Sequence, residues 1–386
     1  MDFSYDEEHE AVKELAQRIF SERSTHERLK ALEADPGPDG PVDRELWAQL
    51  AEAGLLGIGL SEDVGGAGLD FVATALVVEA AGRTAARVPL IEATVYGAGT
   101  IDRFGTEAQR QAHLPGVVAG TVIPTAALVE LAGDVIVSGG QPTTTATSTG
   151  PGRWRLDGTK ACVPGGLVAD LVLVPATRLD AEGRAAGLAV YVVPTGAAGV
   201  TRTRQDGAFA PEALLELAGV ELSDEDVLGG PEADGSAIVA DVTERATAAL
   251  CILQAGACAV AIELIAEYTK NREQFGKPIA TFQAVGQRAA DAYVDAEAVR
   301  LTAWQAAWRI AEGMASAAEV ATAKFWAADG GQRVVHAAVH LHGGVGVDRE
   351  YPLHRYFLMT EQIELTLGGA TQSLLGLGKL LAETPV

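Results

Sequence analysis

Cysteine is nearly absent: the 386 residues include three, Cys162, Cys251 and Cys258. An odd number without paired spacing argues against a disulfide framework and against a cysteine zinc site. Cys251 and Cys258 lie two turns apart in a helical stretch, so they are expected to share a buried face. All three read as reduced thiols of a cytosolic protein. Positive charge is also short. Lys and Arg number 29 against 52 Asp and Glu, a formal net charge of −23. Nucleic acid is therefore not expected as a main partner, because phosphate binding needs a basic face, and solubility accounts for the acidic excess. The N-terminal MDFSYDEEHE has no apolar signal core, so the expected location is cytoplasmic. The most apolar segment, 246–265, is broken by Thr247, Gln254, Gly256 and Glu263. It reads as a buried helix, not a membrane span. There is no internal repeat, P-loop or G-x-S-x-G elbow.

With 48% hydrophobic residues, the chain can bury a sizeable core, divided into two or three subdomains at this length. Helical spacing runs over Glu7–Phe20, Leu46–Leu55, Phe71–Gly82 and Thr106–Val118, with a glycine-bearing loop, SEDVGGAGLD, at Ser61–Asp70. From about Thr121 to Leu228 the composition turns to Val, Thr and Gly. Runs such as LVLVP at Leu171–Pro175 and AVYVV at Ala189–Val193 mark strands. TTTATST, Thr143–Thr149, is expected as an exposed strand. Long helices follow over about Ala237–Arg272, from Pro278 to Gly313, and over Ala315–His340, with a short one at Thr371–Ala382. The expected class is mainly α with a central β-domain, divided 1–121, 122–230 and 231–386. Helices, then strands, then helices is not a doubly wound order.

The sharpest segment is NREQFGKPIATFQAVGQRAAD, Asn271–Asp291. By its residues alone it is a helix corner: Arg272 ends one helix, Gly276 and Pro278 break the chain, and Thr281 caps the next helix. The alternative is a diphosphate site, since a guanidinium fork matches two phosphate oxygens. His336, His340 and His342 suggest a metal, because His336 and His340 are one helical turn apart. No acidic third ligand follows at a telling spacing, so no metal is expected. The glycines of HGGVGV do not follow a strand and open a helix, so they are not a dinucleotide fingerprint of the βαβ type.

Arg272-Glu-Gln-Phe275-Gly276-Lys-Pro-Ile279, continued by Phe282-Gln283 and Ala290-Asp291, resembles the R-x-x-F-G-x-x-I signature of the acyl-CoA dehydrogenases. GLLGIGLSEDVGGAGLD (Gly54–Asp70), GTKACVPGGLVADLVLV (Gly158–Val174) and HLHGGVGVDREYPLHRY (His340–Tyr356) are similar to further segments of that family, in the same order. The resemblance implies a helical N-domain, a small β-barrel or sandwich domain and a four-helix C-domain, with FAD between subunits. It carries cofactor contacts to Arg272, Gln274, Phe275, Ile279, Phe282, Val285, Leu341, Gly343 and Gly344. His340 stands where the family has Gln. It also implies an acyl-CoA thioester substrate, an electron-transfer flavoprotein or similar acceptor, and a homo- or hetero-oligomer.

Family members take the substrate's α-proton with a carboxylate while flavin takes the β-hydride. The usual Glu position holds Gly368, in Leu367-Gly368-Gly369-Ala370, and the alternate position early in the first long C-domain helix holds Ala246. Glu244 is two residues away, about 200° around an ideal helix. The family's flavin-facing string falls on Cys162-Val163-Pro164, and its T-E-P-x-A-G-S-D loop is barely traceable around 129–134. The half of the FAD site lent to a neighbour is kept, and the half a subunit uses itself is eroded. This pattern resembles the non-catalytic partner subunits of heterotetrameric acyl-CoA dehydrogenases, including those of steroid side-chain degradation. Two alternatives stay open: a complete enzyme using Glu244 or Glu364 as base, and a non-enzymatic acyl-CoA- or protein-binding module.

Overall fold

The computed structural model describes residues 5–131, 140–180 and 182–383. In chain order the α-helices are α1 (Glu7–Arg23), α2 (His26–Ala34), α3 (Arg44–Glu52), α4 (Phe71–Arg83), α5 (Gly99–Phe104), α6 (Glu107–Val118), α7 (Gly235–Asn271), α8 (Gln283–Ala311), α9 (Ala317–Phe325), α10 (Gly331–His342), α11 (Leu353–Leu365) and α12 (Ala370–Glu383). The strands are β1 (Pro124–Ala126), β2 (Val129–Glu130), β3 (Thr145–Gly150), β4 (Arg153–Pro164), β5 (Leu171–Leu179), β6 (Ala185–Pro194), β7 (Val200–Gln205), β8 (Glu212–Ser223), β9 (Glu273–Gln274) and β10 (Lys277–Pro278). Helical segments thus flank a central sheet, as expected from the composition.

Two compact units form. One comprises 1–31, 71–87 and 247–386, and the other 32–70 and 88–246. In the second, the sheet runs β1-β5-β3-β4-β8-β7, with β2 on β4 and β6 on β5. The Leu171–Thr177 stretch of β5 is buried throughout, as a strand covered on both faces must be. β3 pairs with β4 on one side and β5 on the other, so it is not an edge strand; Ala146 is its one buried residue, and Ser148 and Thr149 are exposed, in keeping with the exposed strand expected there.

In the first unit, α7 is the helix expected over Ala237–Arg272. It is long and apolar enough to cross a membrane by length and composition, and 67% of its apolar window is buried in the protein. Cys251 and Cys258 share its buried face, and burial pushes both thiols up to about 12, leaving them unreactive. Gly82 of α4 and Gly256 of α7 let the two backbones touch. An added Cβ would lie 2.2 Å from the Leu253 carbonyl oxygen at Gly82, and 2.5 Å from that of Glu79 at Gly256. The single helix expected over Ala315–His340 is instead α9, a π-helical segment Trp326–Gly330, and α10. The inserted turn sets Gly331 against buried Gln254, where a Cβ would meet Nε2 at 2.6 Å.

Candidate cofactor site

At the end of α7 the Arg272 N–H donates to the Tyr268 carbonyl at 2.8 Å, and the Ile279 N–H returns to the Arg272 carbonyl at 2.8 Å. Between them β9 and β10 pair Gln274 with Lys277 and Glu273 with Pro278. The turn residues Phe275 and Gly276 have φ of 54° and 75°, the left-handed pair of a two-residue hairpin. The corner is therefore a β-hairpin, not a bare loop. It leaves the Phe275 ring 93% exposed. That ring meets Phe282 edge-on at 6.1 Å, and Lys277 Nζ lies 4.5 Å over the Phe282 ring. Thr281 does not cap α8. Its hydroxyl donates back to the Pro278 carbonyl at 2.7 Å, and Phe282 takes the N-cap position without a side-chain bond. Val285 is half-buried in the first turn of α8.

The second strand of chain enters where α10 stops. Gly343 has φ 62° and ψ −138°, a conformation that side chains with a Cβ resist. A Cβ added at Gly343 or Gly344 would meet no atom within 4 Å. Both glycines line a cavity of about 580 Å³, together with Arg272, Gln274, Ile279, His340, Leu341, Tyr268, His342, Val345 and Asp348. Most of the residues expected to contact a cofactor thus meet in one place. Phe275, Phe282 and Val285 do not line the cavity and sit beside it on the hairpin and α8. Tyr268, Val345 and Asp348 were not singled out by sequence reasoning, and His342 was considered there only as a metal ligand. Tyr268 was recoverable, because it precedes Arg272 by one helical turn and shares its face.

The positions where a base was sought are different in kind. Gly368 is buried with φ 98°, and Ala246 is fully buried in α7. Glu244 is half-buried on α7, and Glu364 lies near the end of α11. Burial raises the Glu364 carboxyl, and neighbouring Glu361 adds to the rise. In the other unit, the β4–β8 register slips between Lys160 and Val163, and the extra residue, Cys162, sits exposed at φ 49°. A bulge of this kind re-aims the local backbone. The Cys162 N–H donates to Gln205 Oε1 at 2.8 Å, and the Pro164 carbonyl accepts from the Thr125 hydroxyl at 2.7 Å. Close to the turn that follows, at Gly165, burial pushes the Glu92 carboxyl up to about 7. Sequence reasoning did not find Glu92. Of the poorly traceable loop, Val129 and Glu130 form β2, and 132–134 lie outside the described residues.

Comparison with known proteins bears on this arrangement. The family description "Acyl-CoA dehydrogenase, N-terminal domain" matches residues 6–121, and "Acyl-CoA dehydrogenase, C-terminal domain" matches 234–377. Acyl-CoA dehydrogenase FadE27 of Mycobacterium tuberculosis is 39% identical over 393 residues, covering 100% of each chain. The chain belongs to the acyl-CoA dehydrogenase family. FadE28 of the same organism is 30% identical over 87% of this chain and 93% of its own. Among solved structures, the ChsE4–ChsE5 complex from Mycobacterium tuberculosis superposes with a TM-score of 0.90 at 38% identity over 100% of both chains. The Tcur3481–Tcur3483 steroid ACAD variant superposes with a TM-score of 0.86 at 41% identity over 98% of both.

Acyl-CoA dehydrogenases are FAD-dependent flavoprotein oxidoreductases. The cavity fits such a dinucleotide by its own chemistry. Exposed Arg272 supplies a planar donor fork for phosphate oxygens, Gln274 an amide, and Gly343 and Gly344 a surface without Cβ atoms.

Proposed function

We propose that this chain is the subunit of a heteromeric, FAD-dependent acyl-CoA dehydrogenase that completes a partner's cofactor site and has no catalytic base of its own. The observation that carries the reading is the contrast within the chain. The cavity of Arg272, Gln274, Gly343 and Gly344 is formed, while Gly368 and Ala246 offer no carboxylate. The similarity to a two-component complex and to a steroid ACAD supports it. FAD bound between chains would supply hydride acceptance for the desaturation of an acyl-CoA thioester, with a carboxylate of the partner as the base for the α-proton and an electron-transfer flavoprotein or similar protein as the electron acceptor. In this chain Arg272 holds diphosphate oxygens, and Gln274, His340, Leu341 and Ile279 line the same channel. The two glycines admit the cofactor against the backbone, and Phe275, Phe282 and Val285 flank it from the neighbouring side. The division 1–121, 122–230 and 231–386 and a cytoplasmic location belong to the same proposal.

Arg272→Ala tests it. Loss of charge-assisted hydrogen bonds of about 1.5–3 kcal/mol corresponds to roughly 10- to 150-fold weaker FAD binding in the assembled complex. Arg272→Lys should recover only part, because a point charge replaces the planar fork. Unchanged flavin retention in the alanine variant removes Arg272 from the site.

Assembly is a second expected result. α12 has no buried residue, and Leu365, Leu375 and Leu381 are 74%, 70% and 58% exposed. Apolar surface of this kind is covered in an obligate oligomer. Sedimentation should therefore find FAD only in species larger than one chain, and a flavin-loaded monomer would remove the shared-site reading.

A second reading has one observation in its favour. Burial raises the Glu364 carboxyl above its ordinary value, the direction a general base for a complete enzyme needs.

A further inference from the structure

We infer that His342 is a positioning residue: locked between Tyr268 and Tyr351, it holds the Gly343–Gly344 turn ready for the dinucleotide. The inference rests on the reading of the cavity as a cofactor site and adds to it how the glycine turn is ordered.

His342 is the last residue of α10 and is 3% exposed. Its Nδ1 lies 2.7 Å from the Ala338 carbonyl oxygen. A carbonyl only accepts, so Nδ1 carries the proton and Nε2 of the neutral ring is an acceptor. The Tyr351 hydroxyl, 3.2 Å from Nε2, is then the donor. Burial lowers His342 below the usual histidine range, against the pull of the Ala338 and Leu264 carbonyls, which keeps the ring neutral near pH 7. The ring stacks on Tyr268 at 4.4 Å and 27°, and Tyr351 meets Tyr268 edge-on at 6.4 Å.

Two consequences follow from this placement. First, the Tyr351–His342 bond joins the residue before the turn to a residue beyond it, closing the loop across Gly343–Val347. Three of those five residues are glycine, and such a segment loses much backbone entropy when a ligand orders it. The closure, with Gly346 packed 3.0 Å from Val339 by its would-be Cβ, places that ordering in the folded chain before the ligand arrives. Second, Tyr268 accepts the Arg272 N–H through its carbonyl. That bond is the last regular one of α7 and fixes where the helix ends, so the ring that stacks on His342 and the backbone of Arg272 belong to the same final turn.

The experiment uses the complex with its co-purified related subunit and measures FAD affinity and the thermal midpoint of the flavin-free complex. Tyr351→Phe removes a single oxygen, and His342→Phe keeps the stack but removes both hydrogen bonds. Each should weaken FAD binding about 3- to 10-fold, as loss of one net hydrogen bond does, and lower the midpoint of the flavin-free complex slightly, because the bond is already formed there. His342→Gln, whose amide oxygen can still accept from Tyr351, should recover affinity. His342→Asn, too short to reach Tyr351, should not. Wild-type FAD affinity in both Tyr351→Phe and His342→Phe overturns the inference, as does a lowered midpoint without a change in affinity. Arg272→Ala is run alongside. If it weakens FAD binding while these variants do not, the positioning role falls and the site stands. If it too has no effect, the site reading falls with it.

Discussion

Reconstituted with FAD and mixed with an acyl-CoA thioester, the chain by itself is expected to leave its flavin oxidised. General base catalysis contributes about 10²–10⁴-fold, and on the proposed reading the two positions for the base hold Gly368 and Ala246. Gly368→Glu should not restore reduction. The residue sits at φ 98°, so a glutamate there meets backbone strain, and its Cβ would displace the Gln372 amide 3.0 Å away that holds the Gly369 N–H. The altered Cys162–Pro164 wall stands against rescue as well. Glu244→Gln and Glu364→Gln should leave the turnover of the partner complex nearly intact. Stopped-flow bleaching near 450 nm, a wavelength at which oxidised flavin absorbs, reads all of these. Bleaching by the chain alone, abolished by one of the two Glu→Gln changes, would replace the partner-subunit reading with that of a complete enzyme.

Lys160→Met is expected to be the most destabilising single change at the sheet, by about 3–5 kcal/mol. Lys160 and Glu130 are 0% and 2% exposed and pair at 2.6 Å. Glu130 also accepts from the amides and hydroxyls of Thr143 and Thr144, at 2.5–3.0 Å. Removing the ammonium leaves a buried carboxylate without its counter-charge. Glu130→Gln combined with Lys160→Met should lose less than Lys160→Met alone, because no charge is then buried; the Gln oxygen still accepts from one threonine, while its NH2 faces the amide of the other, so part of the loss remains. Burial on its own would raise the Glu130 carboxyl; the Lys160 charge and the threonine donors outweigh it and hold Glu130 down at about 2. On the lysine side burial prevails and brings Lys160 to about 8. The depressed carboxyl fixes the sign on the acid side. Its contribution is complete above the ordinary carboxylate range and is lost as pH falls from about 4.5 through about 2. Urea midpoints measured across that range should drop more steeply for the wild type than for the double variant. Equal acid slopes in the two would show that the pair does not carry the dependence.

Much of the helix and strand partition was legible because periodicity is local. α7 and α8 lie close to where their apolar spacing put them, and the hydrophobic run at Leu171 is the fully covered strand β5. The misses have local causes of their own. α11 went unread because its first turn falls in the segment noted for its glycines and only a short remainder lies beyond it, and the π-helical turn at Trp326–Gly330 leaves the composition of a helix unchanged. That β3 is not an edge strand depends on which strands flank it, and no property of Thr143–Thr149 records its neighbours.

By itself the sequence determined the family and the lack of a carboxylate at Gly368 and Ala246, and it named Arg272, Gln274, Gly343 and Gly344 as the residues proposed for a dinucleotide, since these are matters of which side chain stands at which place in a motif. Only the tertiary structure decided that Tyr268, His342 and Tyr351 form one block, that Lys160 pairs with Glu130 across thirty positions, and that Gly368 adopts a backbone angle hostile to glutamate. Each of these depends on elements far apart in the chain packing together, and the position of a partner in space is set by the whole core and not by the neighbouring residues.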